Sequence, residues 1–426
     1  MKILVTISAL AISMALMSQS VNAKDYIITA HGVKNDSTKI QTEAIQKVID
    51  KAEAAGGGRI VVPRGTFLSG ALFFKPGTTL HLENGGCIKG SDEIENFPLI
   101  PSRMEGRSIY YYAALINAYH VDGFDITGPG MINGNGLKYW KQFWALRAER
   151  AKIKKSCTNL EVHRPRLVFI WGCDNVKLSG PTLCNSPFWT THFYQCKNVI
   201  IENCRITAPR EPVRAPSSDA IDLDVCSDVI VRDCYLDCDD DGVCIKGGKG
   251  VYANRSSENG IVENILVERC TFGPNLHGTL TLGSECVHAR NIEVRDCNVN
   301  TGTAILRLKM RPDTYQIYEK ITVKNITGSS GTVIDMKPWK QFFDLEGSSE
   351  KPYGIVKDIL IENVDVKVKS LGTIAGNPDD TVSNFILRNV NVEASDPRFE
   401  CIYPDVKLEN VTMNGKPVEN PSLPNQ

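Results

Sequence analysis

The sequence lacks an excess of charge of either sign. Its 426 residues hold 48 lysines and arginines against 49 aspartates and glutamates, a formal net charge of −1 at pH 7. A nucleic-acid-binding protein needs a basic excess or a basic stripe, so this balance argues against that class. Hydrophobic residues make up 42% and charged residues 23% of the chain, proportions typical of a folded soluble protein rather than a disordered one.

Long hydrophobic runs are also absent, with one exception at the N-terminus. A short basic start precedes an apolar stretch over residues 3–17, and Val21 and Ala23 place small residues at a cleavage position. This pattern predicts a secretory signal peptide over residues 1–23. No later run of about twenty apolar residues could span a membrane, and no cysteine follows Ala23 to carry a lipid. We therefore expect a secreted or periplasmic protein without a membrane span.

Cysteine, by contrast, is not scarce, since the chain has 14. Such a number in an exported protein usually indicates disulfides. Several of these cysteines, however, occupy one equivalent position of a repeated phrase, where small buried side chains are expected to fill space. The sequence is compatible with bridged and with free thiols. The cysteines at the repeated position are Cys204, Cys234, Cys270 and Cys297.

The repeated phrase dictates the architecture. Each copy alternates apolar and polar residues over about four positions, the period of a half-buried strand. Helices that could connect parallel strands by crossovers are scarce between the copies. The repeats therefore predict an all-β parallel β-helix, single-stranded and forming one domain over residues 24–426. The copies include NVIIENCRI (198–206), DVIVRDCYL (228–236), NILVERCTF (264–272), NIEVRDCNV (291–299) and DVKLENVTM (405–413).

Two stretches have helical patterns. A β-helix exposes strand edges at its ends, and a cap is expected to cover them. Residues 38–55 provide an amphipathic pattern that ends at three glycines, which predicts an N-terminal capping helix. Residues 137–155 are aromatic early and basic late, typical of a long insertion near the rim. The predicted apolar face of the cap consists of Ile40, Ala44, Ile45, Val48, Ile49 and Ala52.

The strands that follow the repeated phrases carry a column of charged side chains. We align these strands by their apolar pairs, which are expected to point inward: Ile221/Leu223, Val243/Ile245, Leu280/Leu282 and Leu306/Leu308. Successive coils stack about 4.8 Å apart. The alignment then presents on one wall, rung after rung, Asp219, the run Asp239-Asp240-Asp241, His277, and the pair Arg307 and Lys309.

Carboxylates clustered beside cations suit glycoside hydrolysis, because one carboxyl must protonate the leaving oxygen while another deprotonates water. A merely solvated face explains the column poorly, since like charges on adjacent rungs repel. Crowding by its neighbours is expected to keep Asp240 protonated. Arg307 and Lys309 share a strand face and are suited to an anionic group. A sugar that carries a carboxylate fits both halves of the wall.

Calcium binding by the aspartate run is an alternative, because clustered oxygens suit that ion. The run lacks the glycine and glutamate positions of an EF-hand loop. Hydrolysis by carboxylates needs no metal or organic cofactor, and we expect none.

The motifs that carry this column resemble those of glycoside hydrolase family 28, the polygalacturonases and their pectin-cleaving relatives. The N-T-D-G-x-D motif of that family corresponds to SSDAID (217–222), and its D-D motif corresponds to Asp240-Asp241. Its G-H-G motif corresponds to LHG (276–278), and its R-I-K motif corresponds to RLK (307–309). The resemblance spans residues 26–413. The departures, at residues 217, 218, 220 and 276, remove no charged group.

The resemblance implies a right-handed β-helix of the pectin-lyase-like type and an inverting mechanism. It implies that Asp240 is the general acid and that Asp219 and Asp241 position and deprotonate water. His277 would tune the carboxylates or contact the sugar. Arg307 and Lys309 would bind the carboxylate of galacturonate.

The resulting prediction is a polygalacturonase or exo-galacturonosidase that cleaves α-1,4 bonds of pectin or oligogalacturonides as a monomer. Trp189 and His192 are candidates for a sugar platform, with ordinary packing as the alternative, and Arg164 and Arg166 are candidates for contacting an anionic substrate. The insertions over residues 137–163 and 247–263 are long enough to wall off one end of a groove, which favours exo action.

Three other functions stay open on the sequence. A related hydrolase could act on rhamnogalacturonan or on another uronic-acid or rhamnose linkage. A pectate-lyase-like enzyme would eliminate rather than hydrolyse and would leave an unsaturated product. A non-catalytic β-helix would bind pectin without releasing reducing ends.

Overall fold

The computed structural model describes residues 24–420, so the predicted signal peptide lies outside the described residues. Within them, 29 strands join one large sheet that winds into a right-handed parallel β-helix. The fold class predicted from the repeats is therefore confirmed. No helix in this part of the chain is long and apolar enough to cross a membrane.

The N-terminal coils consist of short strands. A hairpin of two strands, β7 (Leu99–Met104) and β8 (Arg107–Tyr112), pairs antiparallel outside the large sheet. The strands of these coils within the large sheet are β1 (Asp25–Ile27), β2 (Gly58–Val62), β3 (Gly65–Ser69), β4 (Leu72–Phe74), β5 (Thr78–Leu82), β6 (Gly86–Gly90), β9 (Ile116–Tyr119), β10 (Asp125–Thr127) and β11 (Met131–Asn133).

The middle coils also use short strands, whereas the C-terminal coils merge theirs into long ones. The middle strands are β12 (Val168–Trp171), β13 (Asp174–Ser179), β14 (Thr182–Cys184), β15 (Thr191–Tyr194), β16 (Lys197–Glu202), β17 (Arg205–Thr207), β18 (Ile221–Asp224), β19 (Ser227–Arg232), β20 (Tyr235–Asp237), β21 (Val243–Lys246), β22 (Ile261–Glu268), β23 (Thr271–Phe272) and β24 (Gly278–Leu282). The C-terminal strands are β25 (His288–Met310), β26 (Gln316–Pro338), β27 (Gly354–Ile374), β28 (Thr381–Ala394), β29 (Phe399–Cys401), β30 (Val406–Met413) and β31 (Lys416–Pro417).

The strands stack in three faces, one of which carries the predicted column. We call it the site face. It runs through β12, β15, β18, β21 and β24 into the later parts of β25, β26 and β27 and ends at β29. Ile221 lies opposite Val243, which lies opposite Leu280, which lies opposite Leu306. All four side chains are buried, so the predicted register and inward pairs are confirmed.

The repeated phrase turns a corner at its first and sixth residues. In one copy these are Asn198 and Asn203, with φ angles of 55°, and in the next they are Asp228 and Asp233, with φ angles of 58° and 54°. Asn and Asp tolerate this left-handed conformation better than other side-chain-bearing residues do. Stacked corners are also joined, since Asn264 Nδ2 donates to Asp228 Oδ1 at 2.8 Å. The corner conformation explains why these copies carry Asn or Asp at the first residue and again at the sixth.

The cysteines of the repeat fill space just after the second corner. All of the cysteines of the chain lie within the described residues and have free thiols. The side chains at the repeated position are at most 3% exposed, and each thiol donates to the carbonyl oxygen two residues earlier. The prediction of small buried fillers is confirmed for Cys204, Cys234, Cys270 and Cys297.

Two α-helices accompany the strands, α1 (Thr42–Ala54) and α2 (Leu137–Lys152). Helix α1 packs against β2 and β4 and buries Ile45, Val48, Ile49 and Ala52, as expected of an N-terminal cap. Ile40 was predicted on this face but precedes the helix and is 45% exposed, so that part of the prediction is wrong. The 3₁₀ helices of the described chain are Ile28–His31, Ile94–Asn96 and Ala253–Arg255.

Candidate active site

Three aspartates meet at the entrance to two neighbouring strands of the site face. Asp219 precedes β18, and Asp240 and Asp241 precede β21, which lies one rung further along. The backbone N–H of Asp241 points to Asp219 Oδ1 at 3.4 Å. One carboxylate oxygen of each aspartate lies within 4.8 Å of one from each of the others. The stacking of two coils thus brings together carboxylates that are about twenty residues apart in sequence.

The next two rungs add the histidine and the cations. His277 precedes β24, and its Nδ1 lies 3.1 Å from Asp240 Oδ1. Lys309, from β25, donates from Nζ to Asp241 Oδ2 at 2.7 Å. The Nη1 of Arg307 lies 3.5 Å from Asp241 Oδ1. The structure therefore brings together all six side chains of the column that the resemblance singled out.

These side chains line one cavity of about 350 Å³. Its floor is the site face, and its walls come from helix α2, from the hairpin and from segments that follow strands. The residues that line it are Glu105, Phe143, Trp144, Arg147, Asn159, Trp189, Arg214, Pro216, Ser217, Asp219, Asp239, Asp240, Asp241, Lys246, His277, Ser284, Glu285, Arg307, Lys309, Trp339 and Gln341.

The carboxyl groups of the cavity differ strongly in proton affinity. Burial alone would raise the pKa of Asp241, but Lys309 and Arg307 hold it well below its usual range. Burial and the nearby charges of Asp222 and Asp240 raise the pKa of Asp219 well above its usual range. Burial raises the pKa of Asp222, which lies behind Asp219, to about 7. The cluster therefore contains one firmly anionic carboxylate and one pair that retains a proton.

His277 is also shifted. Burial would lower the pKa of its imidazole, but the hydrogen bond and the charge of Asp240 raise it above its usual value. The His277 imidazole therefore takes up a proton more readily than a free one, and it faces Asp240, whose side chain is 28% exposed.

The run of three aspartates does not act as one cluster. Asp239 is fully buried and pairs with two arginines, since the Nε atoms of Arg210 and Arg214 each lie 2.9 Å from one of its oxygens. The crowding of Asp240 by Asp239, expected from the sequence, is therefore absent because arginines neutralise Asp239. Burial and the charges of Asp222 and Asp240 raise the pKa of Asp219, and burial raises the pKa of Asp222.

The two candidate platform residues occupy different places. Trp189 lines the cavity, and its ring lies 4.3 Å from Lys246 Nζ. His192 does not reach the cavity, because it is fully buried edge-to-face against Trp189, with 5.0 Å between the ring centroids. Its Nδ1 lies 2.6 Å from Arg166 Nη1, and burial lowers its pKa to about 3. A neutral, buried imidazole supports the position of Trp189 but has no access to a sugar.

Arg164 and Arg166, considered as contacts for an anionic substrate, are both fully buried. Arg164 stacks on Phe188 at 4.2 Å from the ring centroid and donates to the carbonyl oxygen of Pro216 at 2.5 Å. Arg166 stacks on Phe169 at 3.7 Å. Neither guanidinium lines the cavity, so the expectation of substrate contact is wrong and both arginines brace the wall.

The walls differ from the prediction in one respect. The insertion over residues 137–163 lines the cavity through Phe143, Trp144, Arg147 and Asn159, as expected. The insertion over residues 247–263 contributes no lining residue. It braces the hairpin instead, since Arg103 donates to Asn259 Oδ1 at 2.6 Å.

Several lining residues were missed at the level of the sequence. Lys246, in β21, lies directly opposite Asp224. Strand parity placed Asp224 outward, so the same parity could have placed Lys246 outward from the sequence. Trp339 follows β26, and its ring lies 5.1 Å from Arg307 and 5.0 Å from Lys309. Ser284 and Glu285 follow β24 and line the cavity without a sequence pattern that announces them.

Among residues 24–420, two groups of side chains are close enough to hold a metal ion. One consists of Asp219, Asp240 and Asp241, and the other of Asp219, Asp222 and Cys244. The ammonium of Lys246 lies 3.5 Å from Asp219 and 3.3 Å from Asp222. The protein therefore supplies a positive charge of its own at the second group.

A parallel β-helix with carboxylates, a histidine and cations around one polar cavity defines a carbohydrate-active enzyme. The sequence profile of glycosyl hydrolases family 28 matches residues 57–411. The chain belongs to this family and is a glycosidase.

The proteins to which the chain is similar include bacterial polygalacturonases. The chain is 24% identical over 446 residues to an exo-poly-alpha-D-galacturonosidase of Dickeya chrysanthemi, covering 91% of this chain and 70% of the relative. It is 26% identical over 375 residues to an endo-polygalacturonase of Pectobacterium parmentieri, covering 84% and 86%. The crystal structure of a hyperthermoactive exopolygalacturonase from Thermotoga maritima superposes with a TM-score of 0.75 at 24% identity over 92% of both chains, a likeness that shows the fold.

Proposed function

We propose that the protein is a polygalacturonase that hydrolyses α-1,4-galacturonosidic bonds of pectin or oligogalacturonides. One observation carries the proposal, namely that Asp219, Asp240 and Asp241 share a cavity with Arg307 and Lys309. Carboxylates supply the acid and the base of glycoside hydrolysis, and the cations match the carboxylate of a uronic acid. The names of the Dickeya and Pectobacterium relatives support the same substrate class.

Asp240 is the general acid. It is the most exposed of the three carboxyls, with 28% of its side chain exposed, and its Oδ1 lies 3.1 Å from Nδ1 of His277. A leaving oxygen that enters the cavity takes a proton from Asp240, and His277 supports the transfer by restoring the proton.

Asp241 and Asp219 position and deprotonate the attacking water. Asp241 stays anionic because Lys309 and Arg307 hold its pKa low. Asp219 lies at the rear of the same cavity, hydrogen-bonded to the backbone of Asp241. A water between these two carboxylates is oriented by one and deprotonated by the other.

Arg307 and Lys309 bind the carboxylate of the galacturonate unit, and Trp339 packs beside both cations. Trp189, in the segment before β15, presents an aromatic surface to the sugar in the same cavity. His192 contributes by holding Trp189 in place, because its ring is buried against the indole.

The inverting outcome comes from the resemblance to the family. Inverting glycosidases usually separate their carboxyl groups by about 6.5–9.5 Å, whereas oxygens of Asp219, Asp240 and Asp241 approach within 4.8 Å of one another. The spacing alone therefore does not favour inversion. NMR of the first product tests it, since inversion of an α-linkage releases the β-anomer and retention releases the α-anomer.

We also propose exo action, the release of single sugars from a chain end. The walls around the cavity come from helix α2 through Phe143 and Trp144, from the hairpin through Glu105, and from Trp339 after β26. Walls of this kind leave a pocket rather than an open groove, which accommodates a chain end better than the middle of a polymer.

Digestion of polygalacturonate tests the function directly. The wild-type chain is expected to release galacturonate, and Asp240→Asn is expected to release very little at the same protein concentration. An unsaturated product would indicate a lyase. Cleavage of rhamnogalacturonan but not of polygalacturonate would indicate a related hydrolase, and binding without new reducing ends would indicate a non-catalytic protein.

We further propose that the chain is exported after cleavage behind Ala23 and acts outside the cytoplasm as a monomer with one catalytic domain over residues 24–426. Mass spectrometry of the protein recovered from the host's culture medium or periplasm is expected to give an N-terminus at Lys24. Size-exclusion chromatography with light scattering is expected to give the mass of one chain.

A further inference from the structure

Lys246 is a buried cation at the rear of the cavity. Its side chain is 4% exposed, although lysine is rarely buried without partners. Its Nζ lies 3.5 Å from Asp219 Oδ2, 3.3 Å from Asp222 Oδ1 and 3.4 Å from Glu285 Oε2. One ammonium therefore bridges three carboxyl groups from two coils, since Asp219 and Asp222 belong to the coil of β18 and Glu285 follows β24.

The three carboxyl groups differ in access to the cavity. Asp219 and Glu285 line it, whereas Asp222 is fully buried behind Asp219. Asp219 Oδ1 faces the backbone N–H of Asp241, which leaves Oδ2 for the ammonium. Neither oxygen of Asp222 accepts a hydrogen bond of good geometry from the described residues, so its ion pair with Lys246 at 3.3 Å is the contact that stabilises a charge there. Lys246 and the backbone of Asp241 therefore hold the two oxygens of Asp219 in place, whereas Asp222 has no such pair of contacts.

We propose that Lys246 is a positioning residue of the hydrolysis, whose ammonium bridges Asp219, Asp222 and Glu285 and so holds the carboxylate of Asp219 in place at the rear of the cavity, where it acts on the attacking water. The inference rests on the proposed function, in which Asp219 activates water. It assigns to Lys246 and Asp222 roles that involve no contact with the reacting atoms.

The charges around the pair of Asp219 and Asp222 agree with this assignment. Burial and the neighbouring carboxylates raise the pKa of Asp219, and Lys246 opposes that rise. Glu285 stays anionic, because Lys246 and Lys249 outweigh the effect of burial and hold its pKa below its usual range. A single ammonium cannot keep three buried carboxyls anionic, so one proton stays on the pair.

Two other titratable groups beside the pair, the Cys244 thiol and the His192 imidazole, carry no charge. Burial raises the pKa of the Cys244 thiol well above its usual value, so it stays neutral. His192, opposite Asp222 on the adjacent rung, is neutral because burial lowers its pKa to about 3. The charged and titratable groups that face the pair are Lys246, Arg166, His192, Cys244, Asp240, Asp241 and Glu285.

The pH profile of kcat/KM tests the proposal, because hydrolysis needs Asp219 as an anion and activity is lost as pH falls through its pKa. Lys246→Met removes a positive charge and raises that pKa, so the acid limb moves to higher pH by about one to two units. Asp222→Asn removes a like charge and lowers that pKa, so the acid limb moves to lower pH by about one unit. Lys246→Arg keeps the charge and restores most of the wild-type profile.

Lys249→Met is the matched control. Lys249 is another mostly buried lysine, in the segment that follows β21, but its Nζ pairs with Glu105 at 3.6 Å and not with Asp219 or Asp222. Its acid limb is expected to coincide with that of the wild type. If the wild type does not hydrolyse polygalacturonate, the proposed function is contradicted. If the wild type is active but the acid limbs of Lys246→Met and Asp222→Asn coincide with its own, the role of Lys246 is overturned. Should Lys246→Met fail to fold by circular dichroism, the shift in Asp222→Asn decides the question.

Discussion

The same outward position of the site face is sealed in the middle of the β-helix and open towards its C-terminal end. Asp222 and Cys244 occupy this position on adjacent rungs, and both are fully buried. Further along the same ladder, Thr373 is half-buried and Glu400 is exposed. Polar side chains with the same strand parity thus experience very different surroundings.

The difference comes from what lies over each region. In the middle, the hairpin inserts Arg103, whose Nε lies 3.0 Å from Asp224 Oδ2, and helix α2 with the segment after it closes the cavity. From β27 to β30, the strands are joined only by short segments, residues 375–380, 395–398 and 402–405. The scaffold is therefore regular throughout, and the chemistry develops where insertions exclude water and make charges interact strongly.

The largest effect is expected from removing the proton donor of the covered region. Asp240→Asn should lower kcat on oligogalacturonides by about 10³-fold, because a general acid contributes on the order of 10²–10⁴-fold. Asp379→Asn, at an exposed position of the C-terminal region, should leave kcat unchanged. Steady-state kinetics of both variants check this, and wild-type turnover in Asp240→Asn would contradict the assignment.

The next effect concerns the ion pair beneath the hairpin. Arg103→Met should lower the free energy of unfolding by about 3 kcal/mol, since it leaves the fully buried Asp224 without its main partner. Arg388→Met breaks an exposed pair with Glu409 in the C-terminal coils and should cost at most about 1 kcal/mol. Urea denaturation of both variants measures the difference. Equal losses would mean that the cover does not strengthen the charges under it.

A smaller effect is expected at two lysines in register. Lys309→Met should raise KM for oligogalacturonides about tenfold, because a charge-assisted contact with the substrate carboxylate is lost. Lys337 lies opposite Lys309 one rung further on, and its side chain is 54% exposed. Lys337→Met should change KM by less than about twofold. An unaltered KM in Lys309→Met would remove that residue from the substrate site.

The scaffold and the column could be predicted because both repeat. The period of two fixes which side chains point inward, and stacking of the repeated phrase fixes which rungs are neighbours. This suffices to place Arg307 and Lys309 on one face. Stacking puts Asp219, Asp241 and His277 on neighbouring rungs, but these residues lie where a turn enters the strand, and parity does not fix their direction. The same parity contained Lys246, which was overlooked because lysine is common at outward positions.

The contacts of the segments that lie over the site, the hairpin and helix α2, could not be predicted. An insertion that occurs once has no repeat from which its position against the coils could be read. Arg103 and Glu105 are more than one hundred residues from the strands they cover, and only the fold shows that they return to them. Burial beneath these segments also leaves His192 in contact with Arg166 rather than with the cavity. Burial by non-periodic segments is the part of the site that residue patterns leave undetermined.

Digestion of polygalacturonate, with the earliest products separated by size and compared with those of Asp240→Asn, tests the central claim most directly. The account predicts free galacturonate as the first product of the wild type, no ladder of intermediate oligomers, and almost no product from the variant. Absence of hydrolysis by the folded wild type, or equal product from the variant, would contradict it.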